Sequence, residues 1–224
     1  LADAYVRLSE ETAELDTSGQ VEAARAAALQ ALKLDEANAE AHAALGRILL
    51  YKDWNFRASV EQFQRAVALD PTRVAPQISY AQALSLTGDL SSALDAIREA
   101  EGRLPALPDV LMQRGSIQFL ARKFEKMEAT GREMLALDAD SPSAYWLVGL
   151  SLEQRGRVAE GIGEFEKGLR VAARKDLRIL CALSHSYALR GDRLRAFEIQ
   201  REYLPDANAP LNRFTLSYCA ALTH

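Results

Sequence analysis

The chain has 224 residues, 49% of them apolar and 26% charged, with a formal net charge of −4. That mild negative charge argues against a general nucleic-acid binder. Two cysteines cannot make a disulfide scaffold, and no apolar run is long enough to span a membrane.

Taken in order, the chain reads as a series of helix pairs. The first unit, residues 1–38, places one helix up to about Asp16, a turn at Thr17-Ser18-Gly19 and a second helix over Gln20 to Leu34. Ala24, Ala28 and Ala31 mark its close-packing face. The second unit, residues 39–72, has a turn around Asp53-Trp54-Asn55 with one extra residue, and Trp54 is expected to be a buried anchor at that corner. The third, residues 73–107, turns at Gly88-Asp89 and ends in the proline-dense stretch from Leu104 to Pro108. The fourth, residues 108–140, carries Met127 and Met134 where the other units have alanines, and Gly131 where they have a large residue. Flexible methionine is expected to fill the space that Gly131 leaves. The fifth, residues 141–174, opens on Ser141-Pro142, an N-cap followed by proline in the first turn. Its second helix holds Gly161, Gly163 and Gly168, which predicts local softness unless neighbouring helices press close there. The sixth, residues 175–208, turns at Gly191-Asp192, and residues 209–224 form a last amphipathic helix with no partner helix.

The units share one phase. Thr12, Gly46, Ala81, Gly115, Gly149, Ser184 and Cys219 follow one another at steps of 34 or 35 residues. The stretch from Ala39 to Pro71 shows the motif most completely, with Leu45-Gly46, then Phe63, Ala66 and Pro71. Small Gly46 and Ala66 let helices approach, Leu45, Leu49 and Phe63 fill the space between them, and Pro71 stops the second helix. This pattern resembles the tetratricopeptide repeat (TPR). The resemblance implies an all-α, right-handed superhelical solenoid of antiparallel helix pairs, with six repeats plus a terminal helix in a single domain, 1–224. In such a stack each repeat packs only on its neighbours. With Asp53-Trp54, the run from Arg65 to Pro71 and the opening Leu1 to Tyr5, the chain looks like the TPR region of bacterial multidomain regulators, namely winged-helix transcriptional regulators and Ser/Thr kinases.

Chemistry-bearing constellations do not emerge. There is no phosphate-binding loop, dinucleotide fingerprint, nucleophile elbow or paired-cysteine zinc spacing. His42 shares the packing face of its helix with Leu45 and Leu49 and reads as structural. Cys181 and His185 share a helix face at i and i+4, but two ligands do not make a metal site. Cys181 and Cys219 lie on successive first helices, where a contact is conceivable, but reduced thiols are the expectation in a cytosolic protein. We therefore expect no enzyme, no cofactor and no metal, with an unrecognised catalytic site as the weaker alternative.

In proteins that the chain resembles, the first helix of each unit lines a concave groove for extended or helical peptides. On this chain the candidate stripe is Arg47, with Tyr51 at its edge, then Ile78 and Gln82. Met112, Ser116 and Phe119 follow, then Trp146, Leu150 and Glu153, and finally Cys181 and His185. Packing against second helices is an equal alternative for each residue singly. The grouping of Met112, Phe119 and Trp146 in mid-array favours a groove with these as anchors and Arg47, Gln82 and His185 as polar orienters. The carboxylate clamp of some TPR proteins is absent, since Ser9, Ala13, Ala43, Arg47, Ile78 and Gln82 stand at its places. The asparagine ladder of TPR glycosyltransferases is missing too.

Residues 1–70 hold twelve acidic and seven basic side chains, and residues 169–201 hold eight basic and three acidic ones. A solvated helix exterior explains this first. Homo-oligomerisation through charge-complementary ends or through the terminal helix is the alternative. The functional expectation is a protein–protein interaction scaffold that docks a protein or peptide segment, without direct nucleic-acid or membrane binding. A regulatory TPR region of a transcriptional regulator or kinase is the alternative. No signal peptide is visible, so the expected location is cytoplasmic. The start at Leu1 rather than methionine suggests a fragment or processed product.

Overall fold

Helix-forming sequence and short, well-capped turns decide the architecture. A computed structural model describes residues 18–173 and 176–203. Eleven helices and no strand run through these residues: α1 (Ser18–Leu34), α2 (Ala39–Tyr51), α3 (Phe56–Leu69), α4 (Val74–Thr87), α5 (Leu90–Arg103), α6 (Pro108–Leu120), α7 (Phe124–Leu137), α8 (Pro142–Gln154), α9 (Val158–Val171), α10 (Leu177–Leu189) and α11 (Arg193–Tyr203). The helix expected to end near Asp16 and the closing helix 209–224 lie outside the described residues.

The chain divides into two compact units, one up to Gln113 and one from Arg114, and the division falls inside α6. In the first unit each helix packs on the next from α1 to α5, and α2 also reaches α4. In the second the same succession runs from α7 to α11, and α8 also reaches α10. This nearest-neighbour packing is how a repeat stack buries its apolar faces without one central core. Small cores sit between successive helices of the first unit. Ala28, Ala41, Ala44 and Leu45 form one, and Leu50, Phe63 and Ala83 another, with Phe56, Val60 and Tyr80 against it.

Local caps start the helices. Asn38 Oδ1 accepts from the Ala41 amide at 2.9 Å, Asp89 Oδ1 from Ser92 at 3.1 Å and Ser141 Oγ from Ala144 at 3.4 Å. Each satisfies one of the orphan donors at a helix start. The turns within pairs place one residue in the left-handed region, where glycine has no steric cost. Gly88, Gly156 and Gly191 do so with φ of 90°, 77° and 89°. In the same phase, Trp54 and Arg122 take φ of 54° without glycine's freedom. The buried corner anchor expected at Trp54 is therefore corrected. The left-handed turn directs the indole outward, 67% exposed, with only an edge contact to the Phe56 ring at 6.2 Å.

The small residues of the motif do set helix approach. A Cβ on Gly46 would lie 2.8 Å from the Phe63 ring, and one on Gly149 would lie 2.5 Å from the Phe165 ring. In the fourth unit of the motif the ring position holds Gly131, and there the packing changes partner. A Cβ on Gly115 would lie 2.7 Å from Leu147 of α8, and one on Gly131 would lie 2.6 Å from Val148 of α8. Met127 and Met134 are buried, but the space over Gly131 belongs to α8 rather than to methionine.

The three glycines of α9 separate into two kinds. A Cβ on Gly161 would meet the Gly149 carbonyl oxygen at 2.8 Å, and one on Gly168 would meet Tyr145 Cβ at 2.7 Å. At these two, neighbouring helices do press close. A Cβ on Gly163 would meet nothing within 4 Å beyond its own helix backbone. Gly163→Ala is expected to stabilise the chain by about 1 kcal/mol through helix propensity. Gly161→Ala is expected to destabilise it by about 2 kcal/mol, because a backbone oxygen cannot move aside cheaply. Thermal melts of the two variants check this, and shifts of the same sign would refute the contrast.

Candidate interaction surface

The candidate stripe takes a different character in each unit. In the first unit, Arg47 and Tyr51 lie on α2, and Ile78 and Gln82 lie on α4. Tyr51 is exposed, while Arg47, Ile78 and Gln82 are half-buried. The Tyr51 hydroxyl donates to Gln82 Oε1 at 2.6 Å and so ties successive first helices together at their open side. Burial lowers the pKa of the Arg47 guanidinium, Arg73 adds to that, and Tyr51 opposes it. Met112, on α6, is half-buried and completes the stripe residues of this unit.

In the second unit, Ser116 and Phe119 on α6 are half-buried. The Phe119 ring lies 6.1 Å from that of Phe124, and the Arg122 guanidinium stands 5.8 Å from the Phe124 ring centre. Further along, the stripe turns inward. Trp146 is 7% exposed, and Leu150, Glu153 and Cys181 are buried with it. Trp146, Leu150 and Glu153 are packing residues, because α8 is covered by α7, α9 and α10 at once. Trp146 keeps one contact at the surface side, the Arg178 guanidinium, 5.7 Å from its ring centre. Arg178 is held there by Asp176 Oδ2 at 2.7 Å and by Ser143 Oγ at 3.1 Å.

Glu153 is the most consequential polar residue of the stripe. Its buried carboxylate accepts from Ser186 Oγ and pairs with His185 Nδ1 at 3.2 Å. A serine, a histidine and a carboxylate meet here, yet their order is wrong for nucleophilic catalysis. A catalytic serine gives its proton to imidazole, and the carboxylate orients that imidazole from behind. Here Ser186 donates directly to the carboxylate, and Ser186 is fully buried. The cluster crosses from α8 to α10 and acts as a structural tie.

The i, i+4 pair of Cys181 and His185 does not by itself make a metal site. His185 Nδ1 is engaged by Glu153. Among the described residues no group of three or more His, Cys, Asp or Glu could hold a metal ion. His42 is structural, as its face predicts. Nδ1 pairs with Gln62 Oε1 at 2.8 Å, and Nε2 lies 3.1 Å from the Glu36 carbonyl oxygen. Of the C-terminal arginines, Arg178, Arg190 and Arg195 each have an acidic partner nearby, namely Asp176, Asp192 and Glu198. That local pairing uses up part of the basic excess.

Sequence reasoning missed one surface altogether. A cleft of about 880 Å³ opens at the C-terminal ends of α1 and α3. Its walls are Leu29, Leu32, Ala68 and Leu69, and Lys33, Arg65 and Glu36 stand among them. The available signal was the pair of basic residues within leucine-rich helix ends, which the motif alone treats as exterior.

Residues 50–108 match the family model for the tetratricopeptide repeat. The helix pairs and the glycine-on-ring contacts carry the same motif beyond that span. The described residues take an all-α repeat fold of the TPR kind. Solved structures share the TPR fold at low identity. PilW, a widely conserved type IV pilus biogenesis factor, aligns at 18% identity with a TM-score of 0.73, covering 96% of this chain and 98% of PilW. A thermophilic TPR protein of Thermus thermophilus aligns at 24% identity and 0.66, covering 84% and 100%. PilF of Pseudomonas aeruginosa aligns at 20% identity and 0.66, covering 92% and 93%. No curated protein sequence matches the chain. No helix among the described residues is long and apolar enough to cross a membrane.

Proposed function

We propose that the chain is a non-enzymatic interaction scaffold that docks a protein segment along the first helices of its TPR pairs. The observation that carries this reading is the open side of α2 and α4. There an exposed tyrosine, hydrogen-bonded across to Gln82, stands beside half-buried Arg47 and Ile78. Tyrosine and arginine are the residue types that interfaces use as anchors. Phe119 and Ser116 supply the corresponding open positions of the second unit. Trp146, Leu150, Glu153 and Cys181 support the surface from beneath. The neighbours' own descriptions, a pilus biogenesis factor and the APC/C hetero-tetramer Cut9–Hcn1, name assembly roles that suit such a scaffold. The cytoplasm belongs to this reading.

A displayed random-peptide library, selected on the whole chain, supplies a test ligand. Tyr51→Ala or Phe119→Ala is expected to weaken the selected peptide roughly tenfold while leaving the melting temperature in place. Unchanged affinity in both variants would overturn the reading.

A further inference from the structure

The cleft at the ends of α1 and α3 lies apart from the stripe just described and has its own chemistry. Leu29 and Leu69 are 46% and 43% exposed, so large apolar side chains stand open to water on both sides of it. Exposed leucine in isolation is ordinary, but leucines facing one another across a concave surface form a receptor for apolar side chains. Lys33 and Arg65 are exposed on the two walls, and no ion pair among the described residues engages either of them. Glu36 is the only carboxylate in the lining, so the cations outnumber it. His42 at the same place is already satisfied by Gln62 and the Glu36 carbonyl, so it brings no unmet demand.

We infer that this cleft docks an acidic, leucine-bearing segment of a partner protein. The partner's apolar side chains fill the space between Leu29, Leu32, Ala68 and Leu69, while its carboxylates meet Lys33 and Arg65. Charge complementarity selects this occupant. A basic segment would oppose both cations, and a purely apolar one would strip water from them without replacement.

The test uses the whole chain and two fluorescein-labelled synthetic peptides, one of leucine and glutamate and one of leucine and lysine in the same order. Fluorescence anisotropy is expected to show preferential binding of the acidic peptide, weakening as salt rises. The double variant Lys33→Glu/Arg65→Glu is expected to lose roughly tenfold in affinity for the acidic peptide and to gain for the basic one. Leu69→Asp is expected to lose both. All these positions are exposed, and circular dichroism melts verify that the fold survives. Equal binding of the two peptides, or unchanged binding by the double variant, would overturn the inference. So would a concentration-dependent dimer that the double variant dissolves, because the occupant would then be a second copy of the chain.

Discussion

Gly131→Phe is expected to destabilise the second unit by about 3 kcal/mol, although it restores the residue type that the repeat motif places there. Phe63 and Phe165 occupy the corresponding positions of other pairs and rest on Gly46 and Gly149. At Gly131 the same volume is already taken. Even a Cβ would lie 2.6 Å from Val148 Cγ2 and 3.1 Å from both the Ala144 carbonyl oxygen and the Val148 nitrogen. A phenyl ring would push α8 off α7, and it would also displace Leu147 from its seat over Gly115. Interiors packed at crystal density absorb such a change only by moving backbone. Denaturant unfolding, with hydrogen exchange read in α7 and α8, measures the loss. Adding Val148→Ala is expected to recover only part of it, since the two backbone atoms remain at 3.1 Å. A stability equal to or above the parent's would show that α8 does not press on Gly131.

The same pair of helices shows what sequence can and cannot convey. The 34–35-residue phase, the turn glycines and the Gly46–Phe63 partnership were legible because each repeats along the chain. The fate of Gly131 was not, because its vacancy is filled from the next pair, and a single repeat does not encode its neighbour's rotamers. Trp54 misled for a related reason. Aromatic residues usually anchor, yet this one occupies the left-handed turn position that faces solvent. Helical periodicity placed Arg47, Tyr51, Ile78 and Gln82 on one face, and of these the structure joins Tyr51 to Gln82 by a hydrogen bond. It could not foresee that the same register sinks inward at Trp146, Leu150 and Glu153. There α8 is covered from three sides, whereas the periodicity of one helix reports only one face. The leucine-walled cleft stayed hidden because its walls come from α1 and α3, more than thirty residues apart.

Removing the Glu153 carboxylate is expected to cost about 3 kcal/mol, which would make it one of the costliest single changes in the second unit. Glu153→Leu leaves two polar partners behind, one fully and one partly buried. The Ser186 hydroxyl is fully buried and donates to this carboxylate, and His185 Nδ1 sits 3.2 Å from its other oxygen. Stripping a buried group of its partner costs its full desolvation, whereas removing both partners together costs far less. His185→Ala alone is therefore expected to cost about 2 kcal/mol, and the double variant less than the sum of the two. Unfolding of the four proteins in urea gives the coupling energy directly. A coupling of about 1 kcal/mol or more assigns the pair to holding α8 against α10. A coupling near zero, with selected peptides bound more weakly by His185→Ala, would instead place His185 on the docking surface and leave Glu153 as its orienter. The first outcome is the one the geometry favours. The carboxylate is nearly inaccessible and both of its oxygens are occupied, so a partner arriving from solvent would have to break the tie before it could use it.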